Sequence, residues 1–120
     1  SRAYSIPKDD PSRETVLEQA AQRACAAPVE MLEQCARAVE LLEQMLEKGS
    51  VMLASDVGCG AVCCRAAMEC AAMNVYVNTR TLKNRVVAEA LERKADGLLK
   101  EYGARAEAVA GQVTAQLRGR

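Results

Sequence analysis

The chain has 120 residues, half of them hydrophobic, with sixteen acidic side chains against sixteen basic ones and no histidine, tryptophan or phenylalanine. That balance offers no basic excess for nucleic acid and points to one small helical domain with a core of Leu, Val, Met, Ala and Cys. A monomer of this length buries only about two thirds of its unfolded surface, so self-association is expected.

The string Asp9-Asp10-Pro11-Ser12 is a helix-start signal, and a first helix is expected from Pro11 to about Ala26, with Val16, Leu17, Ala20, Ala21 and Ala24 on one stripe. Pro28 restarts the chain as a second helix, whose Val29, Leu32, Ala36, Val39, Leu42 and Leu46 share a face, with Gly49 as its left-handed cap. A third helix opens at Ser55, with the hydroxyl as cap and Asp56 in the first turn, and ends near Met73. Its run of Gly, Ala and Cys lets other backbones approach closely, which makes it the central helix of a bundle.

Val75-Tyr76-Val77 alternates like a strand but has no partner strand, and reads as a kink or linker. From Thr81 the stripe Leu82, Val86, Ala90 or Leu91, Ala95, Leu98, Tyr102, Ala106, Val109, Val113 and Leu117 predicts a last helix of about 37 residues, or about 55 Å. Gly97, Gly103 and Gly111 along it mark either close crossings or a frayed tail. The expectation is an all-α bundle of about four helices. Charges interrupt every helix before the roughly 20 apolar residues a bilayer needs, so no membrane span is expected.

The six cysteines include no Cys-x-x-Cys pair. Reduced, cytoplasmic thiols are expected, with Cys59, Cys63 and Cys70 packing as small buried hydrophobes and no metal site. Without histidine, any acid–base chemistry rests on carboxylates, lysines, tyrosines, thiols or water. Asp56 is the best-placed carboxylate, since a helix amino terminus favours its ionised form; taken alone it reads first as a helix cap and dipole partner. Asn74 and Asn78 offer amides at a helix exit, which taken alone are structural. Arg80, Lys83 and Arg85 cluster where cations oppose the helix dipole, a misfit that reads either as a site for an anionic partner or, at least as readily, as a solvated surface face.

The string Ser55-Asp56-Val57-Gly58, the small residues after it, Asn74-Val75-Tyr76-Val77-Asn78, and Tyr4 before Ile6-Pro7-Lys8 together resemble the cyclodeaminase/cyclohydrolase family of folate one-carbon enzymes. The resemblance covers almost the whole chain but lacks the family's glycine-rich opening segment and two helices. It therefore implies that residues 1–120 are the carboxyl-terminal part of one larger orthogonal helical domain. It further implies catalysis by Asp56, substrate contacts from Ser55, Asn74 and Asn78, a homodimer or higher assembly, and a tetrahydrofolate derivative as substrate with no covalently bound cofactor. Lys83 joins the substrate contacts on charge, as a partner for the anionic glutamate tail. Formiminotetrahydrofolate cyclodeaminase is the first expectation, methenyltetrahydrofolate cyclohydrolase the second, and a non-catalytic helical assembly module the third.

Overall fold

The computed structural model describes residues 2–49 and 51–119, and it is all-α. Its helices are α1 (Arg13–Ala24), α2 (Ala26–Lys48), α3 (Ala54–Thr79) and α4 (Arg85–Leu117), with 3-10 turns at Arg2–Ser5 and Val51–Leu53.

Several boundaries move from their sequence expectation, each for a local reason. Before α1, the Asp10 carboxylate accepts from both the backbone N–H (2.8 Å) and the hydroxyl (2.7 Å) of Ser12, so a tight turn precedes the helix. Only Cys25 separates α1 from α2. Pro28 lies within the first turn of α2, where its missing N–H has no intrahelical partner to lose. Gly49 is extended (φ −84°, ψ 166°) rather than left-handed. A glycine fits there because of close approach: a Cβ would stand 2.3 Å from the Met45 carbonyl oxygen.

Ser55 is not the cap of α3. The helix starts at Ala54, with Leu53 in the cap position two residues before Ser55, and no side chain caps it. Nor does α3 leave helical geometry near Met73; it runs through the expected linker to Thr79. Burial decides this, because Val75 is fully buried with Val29, Leu32 and Ala95, and that packing outweighs the weak helix propensity of a β-branched residue. α4 begins at Arg85 rather than Thr81, with the Asn84 side chain accepting from the Val87 N–H at 3.2 Å. It continues unbroken to Leu117, and a Cβ at Gly97 or Gly111 would meet no atom within 4 Å. Those two glycines mark neither a crossing nor a fray.

The three long helices run up, down and up around two stacked core layers. In one, Val39 of α2 meets Ala54, Val57 and Ala61 of α3 and Ala106, Val109 and Val113 of α4. In the other, Val29 and Leu32 meet Met68, Ala71, Val75 and Ala95. The half-buried Tyr102 touches both layers and donates its hydroxyl to Glu40 at 2.7 Å, while the Arg105 guanidinium lies 4.6 Å over its ring and binds Glu43 through Nε at 3.0 Å. This belt fixes α2 against α4.

Two further expectations are corrected along α3. The segment Val51–Thr79 is long and apolar enough to cross a membrane. Between Asp56 and Arg80 only Arg65 and Glu69 carry charge, so the interruptions seen elsewhere in the chain are sparse here. Cys59, Cys63 and Cys70 are exposed rather than packed inside, because they lie on the side of α3 away from Val57, Ala61 and Met68.

Candidate functional site

A concavity of about 720 Å³ lies between α1 and the corner joining α3 to α4. Its floor is Leu17, Ala20, Ala21 and Ala24 of α1, and its polar rim includes Tyr4, Arg13, Asn78, Arg80 and Lys83. The apolar stripe of α1 therefore lines a groove instead of entering the core, and no residue of that helix is fully buried.

Two carboxylates of α1 hold the groove closed at one side. Glu18 accepts the backbone N–H groups of Lys83 (2.9 Å) and Asn84 (3.0 Å), which are the free donors at the start of α4. Those two bonds hold its carboxyl below the usual range. One turn earlier, Glu14 pairs with the Lys83 ammonium at 2.9 Å, and that contact lowers its pKa as well. Nothing in the sequence singles out Glu18 as a cap for a helix 66 positions further on. Its spacing from Glu14 on one face of α1 is the only trace.

The basic cluster divides into three roles. Arg85 turns back to donate to the carbonyls of Thr79 (2.9 Å) and Leu82 (3.2 Å), satisfying the end of α3, so its position at the start of α4 is not a misfit that calls for an anion. Lys83 shares its charge with Glu14. Arg80 is exposed, lines the groove and makes no side-chain hydrogen bond or ion pair with any described residue. Among the described residues, the groove thus presents the Arg80 guanidinium without a partner beside Asn78.

Asn78 and Asn74 each donate the side-chain N–H to the carbonyl four residues back, to Asn74 at 2.8 Å and to Cys70 at 2.9 Å. Asn78 lines the groove, its amide oxygen left as an acceptor; Asn74 is exposed beyond it. Tyr76, between them, donates its hydroxyl to Asp96, and burial together with that carboxylate pushes its pKa up to about 12. It is a tie between α3 and α4 rather than a proton donor at neutral pH.

Ser55 and Asp56 stand at the opposite end of α3. Ser55 borders an apolar cleft of about 340 Å³ formed with Ala110, Val113, Thr114 and Leu117. Asp56 is exposed, lines neither cavity, and has no side-chain partner among the described residues. At 1.5 Å per residue, Asp56 lies about 33 Å from Asn78 along the helix. Within one chain, the five candidate residues fall into two groups: Ser55 and Asp56 at one end, Asn74, Asn78 and Lys83 at the other.

Burial pushes the thiols of Cys25, Cys35 and Cys64 up, away from the thiolate a nucleophile needs. The polar chemistry on offer is therefore anion binding and hydrogen bonding at the groove, with a free carboxylate at the far end of α3.

Comparison with known proteins bears on what such a surface serves. The profile of the formiminotransferase-cyclodeaminase family matches residues 1–97. A methenyltetrahydrofolate cyclohydrolase from Methylorubrum extorquens is 31% identical over 106 residues, covering 85% of this chain and 51% of that protein. The chain spans about half the length of that relative.

Proposed function

The chain belongs to the formiminotransferase-cyclodeaminase family, and from that premise we propose that it serves a folate one-carbon enzyme acting at 5,10-methenyltetrahydrofolate. That species is the product when a formimino group closes onto N10 with loss of ammonia, and the substrate when water opens the ring to the 10-formyl compound. Hydrolysis is the first reading, because the relative named for it is 31% identical. Formiminotetrahydrofolate cyclodeaminase is the second, carried by the family's description.

One observation supports a folate over other small molecules: a groove joins an exposed aromatic ring, an amide oxygen and an unpaired guanidinium, at Tyr4, Asn78 and Arg80. The ring gives a flat surface for the pterin or benzoyl group, the amide accepts an N–H, and the guanidinium with Lys83 attracts a glutamate tail. Asp56 supplies the carboxylate that stabilises the cationic amidinium and draws a proton from the attacking water. Six free cysteines accord with a reducing, cytoplasmic setting, and a homo-oligomer accords with the split of the candidate residues between two ends of α3.

The test is to add the purified chain to 5,10-methenyltetrahydrofolate and follow the methenyl absorbance, and separately to assay ammonia release from the formimino compound. Accelerated absorbance loss supports hydrolysis, and ammonia release supports cyclodeamination. Neither activity, together with no calorimetric heat on titrating a folate, refutes the proposal and leaves the assembly-module reading.

A further inference from the structure

Helices α2 and α3 lie antiparallel and so close that a Cβ at Gly60 would stand 3.2 Å from a methyl of Leu42. Their residues meet in register: Leu32 shares one core layer with Met68, and Val39 shares the other with Ala61. One turn beyond Leu32 is Cys35, and one turn before Met68 is Cys64, so the two cysteines fall opposite each other between the layers. Both are half-buried, Cys35 against the layer of Leu32 and Cys64 against that of Val39. Their thiols are in hydrogen-bond contact across the helix pair.

The contact is asymmetric. Burial is the first cause that raises both pKa values; after it, the charge of Cys64 and the hydrogen bond raise Cys35 further. For Cys64 the neighbouring Cys63 raises the value, while the bond from Cys35 lowers it. Cys64 is thus the sulfur that the contact favours as thiolate, and Cys35 the one that keeps its proton. Cys63 does not compete for either. It is exposed, a step along the helix turns it about 100° away, and a disulfide between successive helical residues would strain the planar peptide between them. Cys25 is engaged elsewhere, donating to the Ala21 carbonyl at 3.5 Å.

We propose that Cys35 and Cys64 are a reversible dithiol–disulfide site, which clasps α2 to α3 when the chain meets a low-molecular-weight disulfide such as glutathione disulfide. The Cys64 thiolate attacks one sulfur of that molecule, its S–S bond breaks, and one glutathione thiolate leaves. Cys35 then gives up its proton to water and attacks the Cys64 sulfur, displacing the second glutathione thiolate. The protons lost by the two protein thiols are taken up by the two departing thiolates. Two protein thiols are thereby oxidised to one disulfide, and one small disulfide is reduced to two thiols. Half-burial slows the first attack, so the site answers a sustained rise in oxidant rather than a brief one. Neither cysteine lines the groove of Tyr4, Asn78 and Arg80, and the clasp stands apart from the folate reading.

The test uses the full chain, first reduced and then incubated with glutathione disulfide. Peptide mapping by mass spectrometry should find a bond between Cys35 and Cys64, in a chain that runs as a single copy on a non-reducing denaturing gel. Closing a loop of about 30 residues should raise Tm by about 10 °C in circular dichroism, and dithiothreitol should return it to the starting value. Cys59→Ser, Cys63→Ser and Cys70→Ser together should leave this behaviour unchanged. Cys35→Ala should stop at a mixed disulfide on Cys64, whereas Cys64→Ala should leave Cys35 a free thiol. The proposal is overturned if both positions stay open to alkylation while the exposed cysteines carry glutathione, or if either one bonds to another cysteine or to a second chain instead. A Tm that is unchanged or lower once the bond has formed, or equal glutathione uptake by the two alanine variants, would overturn it as well.

Discussion

Gly58 sits inside α3, where alanine would ordinarily improve the helix by about 1 kcal/mol. The surroundings reverse that sign. A Cβ built on Gly58 falls 2.7 Å from Cγ1 and 3.0 Å from Cβ of Val113, which is buried in the core layer between α3 and α4. Val113 is branched, held in few rotamers and 2% exposed, so relief requires α4 to shift away from α3. Overpacking of this kind costs about 1 to 3 kcal/mol, against which the helix gain offsets about 1. Gly58→Ala is therefore expected to destabilise by up to about 2 kcal/mol. Gly111→Ala, where a Cβ meets nothing within 4 Å, should stabilise by about 1 kcal/mol, or roughly 4 °C in Tm. Thermal and urea unfolding by circular dichroism measure both. The decisive arm is Val113→Ala: in that background the γ-carbons are gone and only the 3.0 Å approach to Cβ remains, so the cost of Gly58→Ala should shrink, a coupling that a double-mutant cycle reads directly. If Gly58→Ala raises Tm as much as Gly111→Ala in the wild-type background, the close approach of α3 and α4 at this point is wrong.

Three further outcomes follow from named contacts. Glu18→Gln should loosen α1 without unfolding the three long helices, seen as faster amide exchange and proteolysis across residues 13–24 only. Because the folded-state pKa of Glu18 lies below the ordinary carboxylate value, the docking it provides is fully present above that ordinary value and is lost as pH falls through the lower folded one; α1 should loosen before the core in acid. Tyr76 should ionise near pH 12, late in an ultraviolet titration, and Tyr76→Phe should abolish that phase; its raised pKa means the tie to Asp96 is whole below pH 10 and lost as pH climbs through about 12. Met68→Ala, which empties a fully buried site shared with Leu32, Ala71 and Val75, should cost about 2 to 5 kcal/mol in chemical denaturation.

Much of the helical order was legible because apolar periodicity is a local property. The faces Val29-Leu32-Ala36-Val39 of α2 and Ala95-Ala106-Val109-Val113 of α4 enter the core as their spacing requires. The end of α3 was not legible, since Val75 and Val77 favour extended structure locally, and it is the burial of Val75 against Val29, Leu32 and Ala95 that holds the segment helical. The candidate site was legible only as a set of strings. Asn78 and Lys83 do meet in one groove, but Arg85 has turned to the carbonyls of α3, and Glu18 enters from a helix far away in the chain.

The sequence alone determined which residues are apolar, how they repeat along each helix and which family pattern they spell, because those depend on neighbours in the chain. Tertiary structure decided that Gly58 is a packing glycine, that Glu18 caps α4, and that Asp56 and Asn78 stand about 33 Å apart. Each of these depends on which helix lies beside which, and on the length of a straight helix between two polar ends.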